Sequence, residues 1–227
     1  MKSYGKAPDW DFFEKYKAEI VESVENVKWA KDRGCRFDDE DFVKVLKIGD
    51  AEILNEIPMP GYFYKFDRSS LIPHAIRSKN LPCLKVLVKK GLVPDSTDMS
   101  IAVSSGRLGI IEYLWSIGCS DDPTSSRLIC CAIEDLGDLD IVKFLVSKGY
   151  KINESTCAVA GTRGRLEILQ WLRSIDCPWD KYTVDYSIRN HTNEEVVEWA
   201  MENGCPFDYT EAEDRWANEK EDSEKED

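Results

Sequence analysis

The sequence contains few of the residues from which catalytic and metal sites are usually built. Only two of its 227 residues are histidine, and its eight cysteines form no Cys-x-x-Cys pair. It has no Gly-rich phosphate-binding loop, no Gly-x-Ser-x-Gly and no His-Glu-x-x-His motif. His74 and His191 stand in different segments, and no motif places a nucleophile beside either of them. We therefore predict that the protein is not an enzyme and holds no metal or cofactor.

Long apolar segments are also absent. No run approaches the roughly 20 apolar residues that a membrane-spanning helix requires, and Met1 to Lys6 lead into charged residues instead of the apolar core of a signal peptide. The apolar share of 42% is normal for a folded soluble protein. We therefore expect a cytoplasmic protein whose thiols stay reduced.

Basic residues are outnumbered throughout the chain. The 30 Lys and Arg residues face 43 Asp and Glu, which gives a formal net charge of −13. Residues 211–227 hold nine acidic and three basic side chains, and after Ala217 the chain is polar and mostly charged. Such a chain repels phosphate backbones and anionic membranes, so we expect no nucleic-acid partner and no membrane partner.

An internal repeat is the strongest positive feature of the sequence. Apolar stretches with helical spacing end at seven residues, which we call closing marks: Gly34, Gly61, Gly91, Gly118, Gly149, Asp176 and Gly204. The steps between them are 27, 30, 27, 31, 27 and 28 residues. A second set, the turn marks, lies twelve residues earlier in each unit: Glu22, Gly49, Lys79, Gly106, Gly137, Gly164 and Thr192. Glycine at such positions is typical of the left-handed conformation that ends a helix.

Each unit has the pattern of two helices. Apolar residues recur 2, 4, 5 and 8 positions after the turn mark, which places them on one face of a helix. A shorter helix precedes the turn mark and carries a small residue four positions before it, namely Ala75, Ala102 and Ala160. Nine positions before the mark stand residues that we predict as N-caps, namely Ser70, Thr97, Ser155 and Thr183. Units of this kind bury their apolar faces only by stacking on one another.

Residues 164–172, Gly-Arg-Leu-Glu-Ile-Leu-Gln-Trp-Leu, are similar to the second helix of an ankyrin repeat, and residues 106–111 and 137–142 follow the same pattern. The chain thus resembles the ankyrin-repeat family over residues 20–208. The phrases Asp176-Cys-Pro-Trp-Asp and Gly204-Cys-Pro-Phe-Asp resemble the short ankyrin repeats of giant DNA viruses and some protists. The unit is shorter than the usual 33 or so residues, and the shortfall lies in the loop between units.

The resemblance implies an all-α solenoid of about seven helix-turn-helix repeats with shortened inter-repeat loops over residues 1–208. A C-terminal capping helix and an acidic disordered tail would follow over residues 209–227. The implied function is a monomeric protein–protein interaction module that binds through its concave face and inter-repeat loops. A viral origin would make the partner a host protein in the host cytoplasm. A substrate-recruiting adaptor of a ubiquitin ligase, an enzyme and a nucleic-acid binder on the same scaffold stay open as alternatives.

Candidate binding residues are the polar residues of the central loops: Asp95, Ser96, Asp98, Asp121, Asp122, Lys151, Asn153 and Glu154. Two of these loops are acidic, so we expect a partner with a basic surface. Acidic residues at helix starts also complement the helix dipole, so a purely structural explanation stays open.

Two further residue sets are predicted to be structural. Four cysteines follow a closing mark directly, which predicts burial as small apolar side chains, namely Cys35, Cys119, Cys177 and Cys205. Five aromatic residues share one position in the second helix beside the core face and are predicted to pack in the core: Trp29, Tyr113, Phe144, Trp171 and Trp199.

Overall fold

The computed structural model describes residues 15–16, 19–59, 61, 68–189 and 194–207, and within them the chain has thirteen α-helices, one short 3-10 turn and no strand. The all-α class is therefore confirmed. None of these helices combines the length and apolar character needed to cross a bilayer. His191, Thr192 and the segment predicted as a capping helix and tail, residues 209–227, lie outside the described residues.

The chain divides into two compact units, residues 1–105 and 106–227. The helices of the first unit are α1 (Val24–Asp32), α2 (Asp39–Ile48), α3 (Ala51–Glu56), α4 (Leu71–Arg77), α5 (Leu81–Lys89) and α6 (Ser96–Ser105). Those that precede a turn mark (α2, α4 and α6) we call first helices, and α1, α3 and α5 second helices. First helices contact first helices, α2 with α4 and α4 with α6, while α1 contacts α3 and α3 contacts α5. Because α2 also packs on α3 and α4 on α5, this unit has two layers of stacked helix pairs.

The second unit repeats the same arrangement. Its helices are α7 (Leu108–Ser116), α8 (Arg127–Asp135), α9 (Leu139–Ser147), α10 (Glu154–Thr162), α11 (Leu166–Ser174), α12 (Tyr182–Arg189) and α13 (Glu194–Glu202). The first helices α8, α10 and α12 contact one another in that order, and the second helices α9 and α11 contact each other. The pairs α8–α9, α10–α11 and α12–α13 pack together within their repeats.

The left-handed backbone conformation follows the repeat. Every described residue recorded with positive φ stands at a turn mark or a closing mark, including nine glycines and the two non-glycine residues Lys79 (φ 58°) and Asp176 (φ 59°). The left-handed region disfavours side chains with a Cβ. Its occupation by Lys79 and Asp176 indicates that the stacking of adjacent helix pairs, and not the local residue type, sets the turn.

Gly61 differs from the other closing marks. The helix before it, α3, ends at Glu56, and Ile57 is extended with φ −71° and ψ 127°. Pro58 explains the early end, because the residue before a proline is driven away from the helical region. Gly61 itself has no positive φ. The expectation that it closes a full-length second helix is therefore wrong.

Three of the four predicted N-caps lie inside their helices instead of before them. Asp95 and Asn153 accept the first backbone N–H bonds of α6 and α10, so Thr97 and Ser155 are inside the first turn. Thr183 is a buried residue of α12, and the Asp180 side chain accepts a hydrogen bond from the Tyr182 N–H. Ser70 stands at the N-cap of α4 but makes no capping bond through its side chain.

The predicted core positions are buried. Ala75, Ala102 and Ala160 are fully buried in first helices, as are second-helix residues such as Leu114 and Leu145. The first helices α10 and α12 approach each other closely at Gly161 of α10, where an added Cβ would lie 2.6 Å from the Thr183 carbonyl oxygen of α12. A glycine at this point therefore allows α10 and α12 to pack closely.

We expect Gly161→Ala to destabilise the protein by about 1–3 kcal/mol, because the new methyl meets backbone that cannot move aside. Alanine's better helix propensity would offset only about 1 kcal/mol of this cost. The matched control is Gly109→Ala in the exposed part of α7, which should be neutral or stabilise by up to about 1 kcal/mol. Urea unfolding of both variants measures the difference, and a Gly161→Ala protein as stable as the parent would contradict the close packing.

Candidate binding surface

The loops between repeats share one plan in the described residues. After the closing mark comes a buried residue, then an exposed one, then a more buried one, and finally an Asp or Asn near the start of the next first helix. The exposed second position is occupied by Arg36, Val93, Ser120, Lys151, Pro178 and Pro206. Val93 is 87% exposed, although it is apolar. Each of these loops thus exposes the side chain that stands two positions after its closing mark.

Successive loops of the second unit are tied together by hydrogen bonds. The Cys177 thiol donates to the Asn153 carbonyl (Sγ–O 3.5 Å), and the Cys205 thiol donates to the Asp180 carbonyl (3.3 Å). Burial raises the pKa of the Cys205 thiol to about 12, so it keeps its proton at neutral pH. The Lys151 N–H donates to the Pro123 carbonyl (3.0 Å), and the Tyr150 hydroxyl accepts from the Asp121 N–H (3.2 Å). These bonds hold the loops of the second unit in place.

The burial predicted for the closing-mark cysteines is confirmed for Cys35, Cys119, Cys177 and Cys205. Their part as hydrogen-bond donors to the neighbouring loop was not anticipated. None of the eight cysteines, all within the described residues, forms a disulfide bond.

Asp95 and Asp98 form a reciprocal cap at the start of α6. The Asp95 carboxylate accepts from the Thr97 N–H (2.8 Å) and the Asp98 N–H (3.1 Å), and Asp98 accepts from the Asp95 N–H (3.0 Å). Asp98 is only 7% exposed, and burial raises its pKa. The expectation that Asp98 is an exposed loop residue is therefore wrong, and both carboxylates are used to begin a helix.

The acidic residues of the next loop are also engaged locally. Asp121 accepts from the Arg127 guanidinium (2.7 Å), and this bond lowers the pKa of the carboxyl. Asp122 accepts from the N–H and hydroxyl of Thr124, which lowers its pKa as well. Asn153 caps α10 together with Thr156. These contacts support the structural explanation for the acidic loops.

Ser96, Lys151 and Glu154 are the exposed members of the predicted set that make no side-chain cap. Asp121, Asp122, Lys151, Asn153 and Glu154 belong to the second unit, where the bond from Lys151 to Pro123 brings their two loops together. Asp95, Ser96 and Asp98 belong to the first unit.

An aromatic group in the second unit was not among the predicted site residues. Tyr182 and Tyr186 lie one turn apart on α12, with ring centroids 5.2 Å apart and an interplanar angle of 22°. They are 45% and 40% exposed. The signal in the sequence was the i, i+4 spacing of two tyrosines beside buried residues of a first helix.

Trp179 forms a second aromatic contact just before α12. Its ring meets that of Trp199 edge-on, with centroids 6.0 Å apart, and the Arg173 guanidinium lies 4.3 Å above it. Arg173 also donates to the Cys177 carbonyl, which fixes the loop beneath the tryptophan. Trp179 is half-buried.

The aromatic row of the second helices is less buried than predicted. Trp29, Phe144 and Trp199 are half-buried, as are Tyr113 and Trp171. A cation four residues later covers two of the rings, Arg33 over Trp29 (4.6 Å) and Lys148 over Phe144 (5.1 Å). The row therefore borders the core, because its side chains lie at the edge of the apolar face.

His74 is half-buried in α4. Across the part of the chain that the structure describes, no three His, Cys, Asp or Glu side chains come together in a way that could hold a metal ion.

No protein-family model matches this sequence, and no curated protein is significantly similar to it.

The ion pair of Asp121 with Arg127 predicts how the stability of the protein depends on pH. Because the folded-state pKa of Asp121 is lowered, its contribution to stability is present above the unfolded pKa and is lost as pH falls through the folded pKa. Arg127→Gln should raise the pKa of Asp121 toward its ordinary value of about 3.9. The free energy of unfolding of the variant should therefore fall less than that of the parent as the pH drops below about 4. The Arg127 side chain is 57% exposed and the Asp121 side chain is half-buried, so the stability effect should stay below about 1 kcal/mol.

Carboxyl-detected NMR titration measures both pKa values directly. Asp122 is the internal control, because the leading cause of its lowered pKa is Thr124, and Arg127→Gln should leave it unchanged. An Asp121 pKa that does not move in the variant would contradict the ion pair.

Proposed function

We propose that this protein is a helical-repeat binding module, an ankyrin-like solenoid, that binds another protein through its first helices and inter-repeat loops. The stacked helix pairs of each unit and the left-handed residues at the repeat marks support the repeat assignment. Repeat arrays of this kind use their extended surfaces for binding.

The observation that carries the proposal is the exposed tyrosine pair on α12. Tyrosine, tryptophan and arginine are the residue types most enriched among the residues that dominate binding energy at protein interfaces. Tyr182 and Tyr186 hold their rings stacked in solvent, and Trp179 with its covering Arg173 lies in the loop that leads into the same helix. Two large exposed rings on an otherwise polar helix face favour a role in contact with a partner.

The opposite face of α12 makes the pair rigid. Thr183, Val184, Ser187 and Ile188 are buried, and the Ser187 hydroxyl donates to the Thr183 carbonyl (2.6 Å). The close approach of α10 at Gly161 leaves no room for α12 to shift toward it. Binding to a surface that is already ordered costs little conformational entropy, so the fold supports the proposed role.

The charges around the pair are mixed. Lys181 and Arg189 lie at the two ends of α12, and Glu154 stands exposed at the start of α10. Since the loop carboxylates of Asp95, Asp98 and Asp121 already have local partners, we propose a partner recognised through aromatic contact, with charge in a secondary role.

The double variant Tyr182→Ser, Tyr186→Ser tests this function. Removing two interface aromatics should weaken partner binding by at least about thirtyfold, which corresponds to about 2 kcal/mol. The melting temperature should change by no more than about 2 °C, because both side chains are exposed. Quantitative affinity purification from the cell of origin identifies the partner, and calorimetry with that partner measures the loss.

The matched control replaces Ile117 and Ile175 by serine. These apolar residues have similar exposure, 40% and 37%, but end the second helices α7 and α11. The Ile117→Ser, Ile175→Ser variant should bind the partner as tightly as the parent does. If the tyrosine variant retains every interaction of the parent, or if the isoleucine control loses them equally, the proposed surface is wrong.

A further inference from the structure

The second helix α3 is shorter than its neighbours. It has six residues, whereas α1 and α5 on either side have nine each. It also begins with Ala51 at a position where the other second helices of the chain up to α11 have a larger aliphatic residue: Val24, Leu81, Leu108, Leu139 and Leu166. A short helix with a small first residue leaves a depression between two longer ones.

This depression is an open groove of about 500 Å³ across α1, α3 and α5. Its apolar lining consists of Val24, Ala51, Pro82 and Val86, and three lysines line it as well, Lys28 from α1 and Lys85 and Lys89 from α5. We call it the lysine groove. It lies wholly within the first unit, in the layer of second helices.

One of the two carboxylates in the described lining of the groove is held in ion pairs. Glu56 pairs with Lys31 (3.2 Å) and more distantly with Lys28 (3.7 Å), and the hydrogen bond from Lys31 lowers its pKa. Glu52 is the other carboxylate in the lining. Lys31 and Lys90 also donate to the carbonyls at the end of α3, those of Glu56 (2.7 Å) and Ile57 (2.6 Å).

Among the described residues, five lysines therefore surround two glutamates in a chain whose net charge is −13. The excess of positive charge is a local property of this surface, and two of the five lysines come from one repeat position. Lys28 and Lys85 both occupy the fifth residue of their second helix, on either side of Asn55 in α3. A cationic rim around an apolar floor has the complementary chemistry of an acidic segment with apolar side chains on one face.

We propose that the lysine groove binds an acidic, amphipathic helical segment of a partner protein, with one apolar side chain of that segment seated over Ala51. This site is separate from the tyrosine pair of α12 and does not depend on the function proposed above. An apolar floor favours a peptide over a nucleic acid, because phosphate recognition has no use for it.

Fluorescence anisotropy with a labelled peptide of repeated Glu-Leu-Glu-Glu tests the proposal. Leucines four residues apart lie on one face of a helix, and the glutamates flank them. We expect saturable binding that weakens as salt rises from about 50 to about 500 mM. A labelled oligo-glutamate and a labelled single-stranded oligonucleotide of the same length are the comparison probes, and both should bind at least about tenfold more weakly.

Charge reversal identifies the surface. The double variant Lys28→Glu, Lys85→Glu should weaken binding of the Glu-Leu peptide at least about tenfold. Lys143→Glu is the matched control, since Lys143 occupies the same position in α9 but is flanked by Glu112 and Gln170 at that position in α7 and α11. It should change the affinity less than about twofold.

Ala51→Leu tests the apolar floor of the lysine groove without changing any charge. It restores the residue found at this position in most second helices, so the fold should tolerate it, and circular dichroism checks this. The larger side chain fills the groove, so affinity for the Glu-Leu peptide should fall about tenfold while the weak binding of oligo-glutamate stays the same. Tyr182→Ser, Tyr186→Ser should bind the peptide like the parent.

The proposal is overturned if the Glu-Leu peptide does not bind. It is also overturned if oligo-glutamate or the oligonucleotide binds as tightly as the peptide, because the surface would then respond to charge alone. Equal losses in Lys143→Glu and in the double lysine variant would likewise remove the groove as the site.

Discussion

The burial of each helix pair against the next is the constraint on which the rest of this structure depends. A helix of nine residues with one apolar face is too short to be stable alone, so its stability comes from packing. In both units first helices pack on first helices and second helices on second helices, which fixes the turn between them. The turn must then be left-handed even where the sequence provides Lys79 or Asp176 instead of glycine. The backbone cost at these residues is borne by the packing of the adjacent pairs.

The loops follow from the same constraint. Because the pairs stack at a fixed spacing, equivalent loop residues meet in register, and a buried thiol can reach the carbonyl of the preceding loop, as Cys177 reaches Asn153. Several first helices then take their cap from the loop itself, as α6 does from Asp95 and α10 from Asn153. Much of the acidity between repeats therefore belongs to helix initiation.

The periodic features could be predicted from the sequence, and the departures from the period could not. Spacing alone located the buried alanines, the cysteines and the second helices, because a repeated position has a repeated environment. It misjudged Gly61, because the effect of Pro58 on Ile57 is local and outweighs the repeat. It also placed three caps too late, because serine and threonine in the first turn resemble caps when only spacing is considered. The lysine groove depends on side chains from three helices, which a reading of one repeat at a time does not bring together.

For the binding function proposed above, departures from the repeat are the positions to examine first. A residue that matches its equivalents in every unit is explained by packing, whereas one that differs at an exposed position needs another reason. Tyr182 and Tyr186 place two rings on one first helix. In the second helix α3, Pro58 causes the early end, and Ala51 provides a smaller side chain than the equivalent residues of other repeats. Each change leaves its own unit packed and alters only what that unit presents to solvent. A stacked-repeat framework permits such changes one repeat at a time, because the contacts that stabilise a pair lie on its buried faces and leave the outer positions free to vary.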